Sequence, residues 1–418
     1  MTSATNNNIT ETYTYDNNSN LTGRTNTAVS VLNQYNKANW QVRARNVAST
    51  TDDILGYYNY DGTLARTMDR YDYGDKDDLL INYTYDGLNR LTSENVEAEE
   101  GSSVSSYSDT FTFDDNNNRA TLDNGTYSYD ANNRMLSSPD SNSYSYSDGG
   151  LLNSDGTYTY VYDGFNRLVQ VKDYTTNDVI ASYTYNGDGQ RITKTVDGVT
   201  TTYVWNGDNI VYETTGTTEQ KYYYGTILYA MEDTSGNVYY YGKNIHGDVV
   251  ELYDEDGEYV RDYRYDAFGN QKTANANDTN PFRYAGEYYD KETGLIYLRN
   301  RYYDTRTGRF ITEDPIRDGL NWYVYCGNNP VMFVDPLGLA PGDPFESMDL
   351  AALDFAILYN EQSINHDNGN GGKFNGREYG SKIYSFKVDG KVYYSYTVPI
   401  TAPDDDVHEI RVIWFRAL

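Results

Sequence analysis

Two aspartates that each precede a proline could act together as an acid and a base. Asp314 lies in the sequence TEDP and Asp335 lies in VDPLGL. Hydrolysis of a peptide bond by carboxyl groups needs one ionised carboxylate as base and one protonated carboxyl as acid, and two close carboxylates do not readily ionise together. Arg309, in GRF, could hold the two side chains or polarise a carbonyl group. Asp-Pro pairs also begin turns, so a purely structural role is the alternative.

The neighbours of the two aspartates restrict the backbone in a way that suits such a site. Pro315 and Pro336 fix φ beside each aspartate and so limit how the chain enters the site. Gly338 allows a close approach of the backbone. Glu313 and Asp318 are further carboxylates nearby, and either could be the true partner in the pair.

A second group of candidate residues lies near the C-terminus. A nuclease or metal site is one interpretation, and solvated surface side chains are the simpler one. This part of the chain has no cysteine and no His-Glu-x-x-His motif, which excludes a thiol enzyme and a gluzincin-type protease. No cofactor is predicted. The candidates are His366, Asp367, Glu378, Asp404–Asp406 and His408.

A repeat of two tyrosines and an aspartate, Tyr-x-Tyr-Asp, determines the architecture. Each copy contains two short alternating runs separated by Asp, Gly and Asn, which favours two strands joined by a tight turn. A single β-hairpin cannot bury its apolar face, so the hairpins are expected to pair side by side into a mainly β structure. Copies begin at Tyr13, Tyr58, Tyr83, Phe111, Tyr127, Tyr160, Tyr183 and Tyr263.

The chemistry of the repeat predicts the role of each of its residues. The two tyrosines are two positions apart and face the same side of the sheet, so we expect a hollow interior lined with phenol rings. The aspartate can accept hydrogen bonds from the turn backbone two residues later. An arginine a few residues further on can reach back to that aspartate. The arginines at such positions are Arg90, Arg134, Arg167 and Arg191.

The composition excludes several classes of protein. The net charge of −29 and the pI near 4.3 argue against a shell that binds nucleic acid by neutralising phosphates. No apolar run approaches the roughly 20 residues of a membrane span. Cys326 is the single cysteine, so no internal disulfide can form. The chain starts within the repeat pattern and without a signal peptide, so we expect it to be a piece of a longer protein.

Changes in composition divide the chain into three parts. Residues 1–279 carry the repeats, and residues 280–339 are denser in Gly, Pro and Arg and end in DPLGL. Residues 340–418 begin with a Pro/Gly linker and are predicted to form a small α+β domain. Its helix is expected near residues 347–360, where apolar residues share one face, and three strand-like runs follow.

The repeats, together with the region from HGDVVELYDEDG to NPVMFVDPLGL, resemble the Rhs/YD-repeat family of bacterial polymorphic toxins. The likeness is greatest to the form found on wall-associated proteins of Gram-positive bacteria and covers roughly residues 10–339. It implies a spiral β-sheet shell, or cocoon, and a chain that cuts itself once after Asp-Pro-x-Gly-Leu, leaving a variable toxin held inside. The cut would fall between Leu339 and Ala340, with Asp314 and Asp335 as the catalytic pair.

The resemblance also implies a setting and partners. Such a protein is secreted or attached to the cell wall, acts in competition between bacteria, encloses its own C-terminal domain and is matched by an immunity protein. About 330 residues of strand are few for a closed cocoon and leave sheet edges open. A longer parent, a capping partner or edge-to-edge association is therefore expected.

The run REYGSKIYSFKVDGKVYYSYTVPI weakly resembles a domain of unknown function that often ends Rhs proteins and has been likened to JAB/JAMM metallopeptidases. In those enzymes a strand-borne Glu acts with a later His-x-His and an Asp around one zinc ion. Glu378 matches the Glu position, but the His-x-His is absent. The domain is therefore expected to be truncated and inactive or only weakly active.

Three functions remain open at this point. The first is a shell that encloses a C-terminal toxin and releases it by self-cleavage. The second is a non-catalytic adhesive surface protein whose repeats bind carbohydrate or a partner cell. The third is a freestanding metallopeptidase or nuclease, which the missing ligands disfavour. The DPLGL element followed by an abrupt change in composition favours the first, because an adhesin needs no such junction.

Overall fold

The computed structural model describes residues 3–339 with short gaps, and beyond them the backbone of four strands at 379–388, 391–396, 400–401 and 412–415. The gaps are residues 7–8, 38–40, 48–53, 62–64, 73–78, 101, 141–142, 274–277, 316 and 318–320. The helix predicted near residues 347–360 lies outside the described residues.

The first sheet is a meander of twelve strands in which each strand pairs with the next one along the chain. Buried and more exposed residues alternate along its strands, as expected where one face is covered. Its strands are β1 (Ser3–Asn6), β2 (Ile9–Tyr15), β3 (Leu21–Thr25), β4 (Ser30–Tyr35), β5 (Gln41–Asn46), β6 (Ile54–Tyr60), β7 (Arg66–Asp72), β8 (Leu79–Tyr85), β9 (Leu91–Ala98), β10 (Tyr107–Phe113), β11 (Arg119–Leu122) and β12 (Gly125–Thr126).

The second sheet continues the meander over thirteen strands, after a separate hairpin of β13 (Ser128–Tyr129) and β14 (Met135–Ser137). The two sheets confirm the prediction of a mainly β protein built from consecutive antiparallel hairpins. The strands of the second sheet are β15 (Ser145–Tyr146), β16 (Leu152–Ser154), β17 (Tyr158–Tyr162), β18 (Leu168–Asp173), β19 (Val179–Tyr185), β20 (Arg191–Val196), β21 (Val199–Asn206), β22 (Asn209–Thr215), β23 (Thr218–Tyr224), β24 (Leu228–Glu232), β25 (Val238–Lys243), β26 (Val249–Tyr253) and β27 (Tyr259–Asp262).

Smaller elements follow, and we call residues 1–279 the shell and residues 280–339 the plug. The plug has a four-stranded sheet and two 3-10 turns, at Tyr284–Gly286 and Cys326–Asn328. No helix among the described residues is long and apolar enough to cross a membrane. The remaining strands are β28 (Tyr288–Asp290), β29 (Leu295–Leu298), β30 (Arg301–Asp304) and β31 (Arg309–Phe310) in the plug, then β32 (Tyr379–Val388), β33 (Lys391–Tyr396), β34 (Ile400–Thr401) and β35 (Val412–Phe415).

The repeated aspartate fixes the turn within a copy, as predicted. Between β8 and β9, the Asp86 carboxylate accepts hydrogen bonds from the backbone N–H groups two and four residues later, at 2.9 and 3.0 Å. Asn89 in that turn has a φ of 58°, a left-handed conformation that Asn tolerates. The Arg90 guanidinium reaches back to the same carboxylate, with Nη2 2.6 Å from Oδ2. Arg167 binds Asp163 in the same way.

Two of the four predicted arginines behave differently. Arg134 donates to the Asp148 carbonyl oxygen at 2.9 Å. In the copy that contains Arg191, the turn position belongs to Gln190, whose backbone N–H donates to Asn186 Oδ1 at 2.9 Å. Successive side chains of a strand face opposite sides, so this offset of one residue turns Arg191 inward, where it is fully buried. The prediction that Arg191 closes its own turn is wrong for that reason.

One face of the second sheet carries tyrosines that face the plug. Aromatic rings from the two parts meet edge to face, with centroids 5.5 Å apart for Tyr203 and Tyr288 and 4.8 Å apart for Tyr222 and Phe282. Side chains of both parts form one buried cluster. The tyrosine-lined face is thus confirmed, but the expected hollow interior is wrong over this region, because the plug fills it.

Strands β23–β26 are covered on both faces and form the middle of three layers. One face, which includes Tyr222 and Tyr241, belongs to the cluster shared with the plug. The opposite face, which includes Tyr223 and Tyr229, packs against buried residues of the first sheet. The Tyr229 hydroxyl also donates to the Ile9 carbonyl oxygen at 3.2 Å. The first sheet therefore packs on the outside of the layer that holds the plug.

A buried ion cluster joins the plug to the shell. Arg191 Nη1 and Nη2 lie 2.5 and 3.0 Å from the oxygens of Asp290, and Lys194 Nζ lies 2.9 Å from Asp290 Oδ1. Arg191 and Asp290 are fully enclosed, and the guanidinium carbon is 4.4 Å from the centroid of the Tyr297 ring. Burial alone would raise the pKa of the Asp290 carboxyl, but the two cations lower it below its usual range.

Replacement of Asp290 should test this connection. We expect Asp290→Asn to lower the free energy of unfolding by about 3–5 kcal/mol, because two buried cations lose their carboxylate. Asp163→Asn, at a partly exposed turn, is the matched control and should cost about 1 kcal/mol or less. The stability that Asp290 contributes is complete above about pH 4 and is lost as the pH falls through the lowered pKa. Denaturant unfolding at several pH values measures both effects, and equal losses in the two variants would contradict the assignment.

Candidate functional site

The two predicted aspartates meet at one arginine at the start of β30. Arg301 Nη2 lies 3.2 Å from Asp335 Oδ2 and 3.7 Å from Asp314 Oδ2. All three side chains are buried, with no more than 6% of any of them exposed. The fold thus brings two Asp-Pro sequences to the same guanidinium, an arrangement in which two carboxyl groups can share acid and base roles.

Arg301 is also held by groups other than the carboxylates. Its guanidinium carbon lies 3.5 Å from the centroid of the Phe310 ring, and its Nη1 atom donates to the Trp322 carbonyl oxygen at 3.1 Å. Burial lowers the pKa of the Arg301 guanidinium, and the two carboxylates oppose that effect. The side chain is therefore a fixed, planar set of donors, as its chemistry allows.

Two residues of the β29–β30 turn and the first residue of β30 hold three successive carbonyl groups of the DPLGL sequence. The first of the three, Arg299, has a φ of 62°, in the left-handed region. The contacts fix the backbone immediately before the predicted cut. The pairs are Arg299 Nη1 with the Pro336 oxygen at 2.6 Å, Asn300 Nδ2 with the Leu337 oxygen at 2.9 Å, and Arg301 Nε with the Gly338 oxygen at 2.5 Å.

The chain folds back on Asp335 just before the predicted cut. The Leu339 N–H donates to Asp335 Oδ1 at 3.0 Å, so one carboxylate oxygen contacts the residue that precedes the scissile bond. Gly338 has a φ of 64°, and a Cβ atom there would lie 2.9 Å from a backbone oxygen and 3.0 Å from a backbone nitrogen of the β29–β30 turn. The close approach therefore depends on glycine. Ala340, on the other side of the bond, lies outside the described residues.

Arg309, predicted from the sequence to hold the pair, lies elsewhere. Its Nη1 atom donates to Asn118 Oδ1 at 3.0 Å and its Nη2 atom donates to the Asn133 carbonyl oxygen at 2.6 Å, both in the shell. Arg301 occupies the position that was assigned to Arg309. The available signal for Arg301 was weak: it begins the short run RYYD, which has a charged residue at each end and is wholly buried in the structure.

The remaining candidates do not add to the site in the part of the chain that is described. Glu313 faces two arginines, with Oε1 3.8 Å from Arg134 and Oε2 3.6 Å from Arg317. Among the described residues, no group of His, Cys, Asp and Glu could hold a metal ion. The candidates outside the described residues are Asp318, His366, Asp367, Glu378, Asp404–Asp406 and His408.

Comparison with known proteins relates the chain to toxins. Residues 73–331, well over half of the chain, match the family described as Teneurin YD-shell. The chain is 36% identical over 278 residues to a protein of Bacillus spizizenii named tRNA3(Ser)-specific nuclease WapA. It is 32% identical over 246 residues to a protein of Burkholderia cenocepacia named double-stranded DNA deaminase toxin A. These matches cover 63% and 50% of this chain, but only 11% and 17% of those two proteins.

A solved structure shares the fold. The crystal structure titled TcdB2-TccC3-TEV matches with a TM-score of 0.63 at 19% sequence identity, over 78% of this chain and 19% of that one. At this identity the likeness concerns the fold alone. The chain spans less than a fifth of the length of each of these three proteins.

Replacement of Gly338 should test the close approach at the site. Gly338→Ala and Gly294→Ala both place alanine at a positive φ, but an added Cβ at Gly294 has nothing within 4 Å. Backbone strain alone should cost Gly294→Ala about 1 kcal/mol. Gly338→Ala adds a clash with backbone atoms, so we expect a loss of about 2–3 kcal/mol and faster proteolysis of the DPLGL sequence. Equal losses in denaturant unfolding would contradict the close approach.

Proposed function

This chain belongs to the Teneurin YD-shell family, within its Rhs/YD-repeat toxin proteins, and we propose that it encloses a C-terminal toxin and separates from it by one self-directed cut. In this proposal residues 1–279 are the shell, residues 280–339 are the plug that carries the cutting site, and residues 340–418 are the cargo. Two relatives, one named as a nuclease and the other as a toxin, and a solved structure with the same fold support it.

The proposed cut is an aspartyl hydrolysis. One carboxylate of the pair Asp314 and Asp335 takes a proton from a water molecule, whose oxygen attacks the carbonyl carbon of Leu339. The other carboxyl group, protonated at the start, gives its proton to the Ala340 nitrogen as the C–N bond breaks. The products are a new carboxyl group on Leu339 and a free amino group on Ala340. The pair takes one proton and gives one away, so it holds one proton at the end, as it did at the start. The reaction nevertheless occurs once, because each chain has one such bond.

One observation carries this proposal: the guanidinium that binds both aspartates also binds the backbone of the DPLGL sequence. Arg301 contacts Asp314, Asp335 and the Gly338 carbonyl oxygen. Two Asp-Pro pairs that merely started turns would need no shared buried cation. In the proposed reaction, Arg301 holds the carbonyl group of Gly338, the residue before Leu339. It thereby limits the motion of the Leu339 carbonyl group relative to the two aspartates.

The burial of the repeat tyrosines disfavours the adhesive alternative. Tyr58, Tyr83 and Tyr183, each the first tyrosine of its copy, are no more than 7% exposed. Rings that pack inside the protein are not available to a carbohydrate or to another cell. The tyrosines therefore account for the cohesion of the shell rather than for recognition at its surface.

The names of the relatives do not predict the activity of the proposed cargo. One is named a tRNA nuclease and another a DNA deaminase, so proteins with similar shells carry different activities. For residues 340–418 the JAMM-like assignment of Glu378 stays a prediction, with a truncated and inactive or weakly active domain expected. The proposed setting is secretion or attachment to the cell wall, competition between bacteria, an immunity protein and a capping partner.

Removal of either carboxyl group should stop the cut. We expect Asp314→Asn and Asp335→Asn each to slow cleavage by about 100-fold or more and leave a full-length chain, because each loses a group that exchanges a proton. Wild type should yield a fragment that begins at Ala340. Glu313→Gln is the control and should cut like wild type. Denaturing gels and N-terminal sequencing provide the measurement, and an Asn variant that cuts at the wild-type rate would remove that residue from the mechanism.

Two equally buried arginines offer a matched test of the positioning group. Arg301 and Arg309 are 3% and 4% exposed, and they lie on neighbouring strands of the plug. We expect Arg301→Lys to slow the cut about tenfold or more, because an ammonium group cannot replace the planar donors that reach both carboxylates and the backbone. Arg309→Lys should cut at nearly the wild-type rate in the same gel assay. The reverse order would return the role to Arg309.

A further inference from the structure

His246 connects the shell to the segment that leads into Asp335. Its side chain lies in the turn between β25 and β26, and Nε2 is 3.2 Å from the carbonyl oxygen of Phe333, two residues before Asp335. The Phe333 N–H in turn donates to the Asn329 carbonyl oxygen at 3.3 Å. The imidazole is 4% exposed and packs on the Tyr284 ring with centroids 5.0 Å apart. The proposed cutting reaction makes no use of this buried histidine.

Both ring nitrogens of His246 face hydrogen-bond acceptors. Nδ1 lies 2.8 Å from Asp248 Oδ1, while Nε2 faces the Phe333 carbonyl oxygen, which can only accept. The Asp248 carboxylate also accepts from the Ala285 N–H at 2.7 Å and from Asn244 Nδ2 at 2.8 Å, as an ionised group does. A neutral ring has one N–H and would turn a lone pair toward one of the acceptors, whereas an imidazolium donates to both. The geometry therefore fits the charged ring.

Charged and titratable groups surround the ring. Asp248 lies in the same turn, and although burial would raise the pKa of its carboxyl, the histidine lowers it below its usual range. Asp69 of β7 acts on the ring from the first sheet, and its own counter-charge Arg66 is 3.1 Å away. Tyr284 packs on the ring, and the Tyr71 hydroxyl accepts from Asn244 Nδ2 of the same turn as His246. These groups line a cavity of about 50 Å³ between the layers. Its further ionisable groups are Tyr83, Glu94, Tyr107, Tyr263, Arg264, Tyr265, Asp266 and Lys272.

We propose that His246, by donating to the Phe333 carbonyl oxygen, is a positioning residue for the cut after Leu339, and that loss of this hydrogen bond frees the segment before Asp335 and slows the cut. This inference rests on the proposed self-cleavage. The contact ties the backbone two residues before Asp335 to the shell, so its loss would widen the range of positions that the Asp335 carboxyl group can take.

The test is the rate of the cut at one pH in full-length chains made in a cell-free system. His246→Phe keeps a ring without a donor and should cut about tenfold more slowly than wild type, the value of one hydrogen bond to a charged group. In His246→Gln the side-chain amide can donate to the Phe333 carbonyl oxygen, so this variant should cut within about threefold of the wild-type rate.

The chain offers matched controls, since His366 and His408 are its two other histidines. His366→Phe and His408→Phe should cut at the wild-type rate. A His246→Phe chain that cuts at the wild-type rate, or a His246→Gln chain that is as slow as His246→Phe, would overturn this inference alone and leave the proposed cut intact. A wild type that never cuts would overturn both proposals.

A spectroscopic measurement examines the ring without cleavage. In the uncut Asp335→Asn chain that also carries His366→Gln and His408→Gln, one histidine remains, and its nitrogen resonances report the protonation of each ring nitrogen. We expect the Nε2 atom, which faces the Phe333 carbonyl oxygen, to carry hydrogen. An Nε2 atom without hydrogen would contradict the proposed donation.

Discussion

The docking of the plug onto the tyrosine face of the shell is the constraint on which the rest of the structure depends. A repeat hairpin cannot bury its own aromatic face, and side chains of the plug supply the cover that it lacks. Apolar contact alone would tolerate a shift of the plug relative to the shell. The ion pair of Arg191 and Asp290 does not tolerate such a shift, because both side chains are fully enclosed and any displacement would leave a buried charge without its partner.

That docking also makes the candidate site part of the shell. Arg299, which holds the Pro336 carbonyl group, donates through Nε to the Asp208 carbonyl oxygen of the shell at 3.0 Å. His246 reaches the same stretch of chain from another shell turn. The sequence before the proposed cut is thus held between a plug strand and two turns of the shell. Under the proposed function, the cut follows the docking of the plug and therefore the enclosure of what lies beyond it.

Much of the fold could be predicted because one local rule repeats. Alternating tyrosines form the strands, and an aspartate such as Asp86 satisfies the turn through its own backbone neighbours, so neither feature needs distant contacts. Residues such as Arg191 and Arg301 could not be assigned in this way. The alternation of residues predicts on which face of its sheet a side chain lies, but it does not predict which layer packs against that face. Asp314 and Asp335 could be proposed because their Asp-Pro sequences are a local signature of the family that the chain resembles, whereas the position of Arg301, which contacts both, depends on the pairing of strands.

Mass spectrometry of the purified wild-type protein, first under native and then under denaturing conditions, tests the central claim most directly. The account predicts one native species with the mass of the whole chain plus one water molecule, because hydrolysis adds water while the enclosed cargo stays bound. It predicts two separate chains under denaturing conditions, one ending at Leu339 and the other beginning at Ala340. A single unbroken chain under denaturing conditions would contradict it.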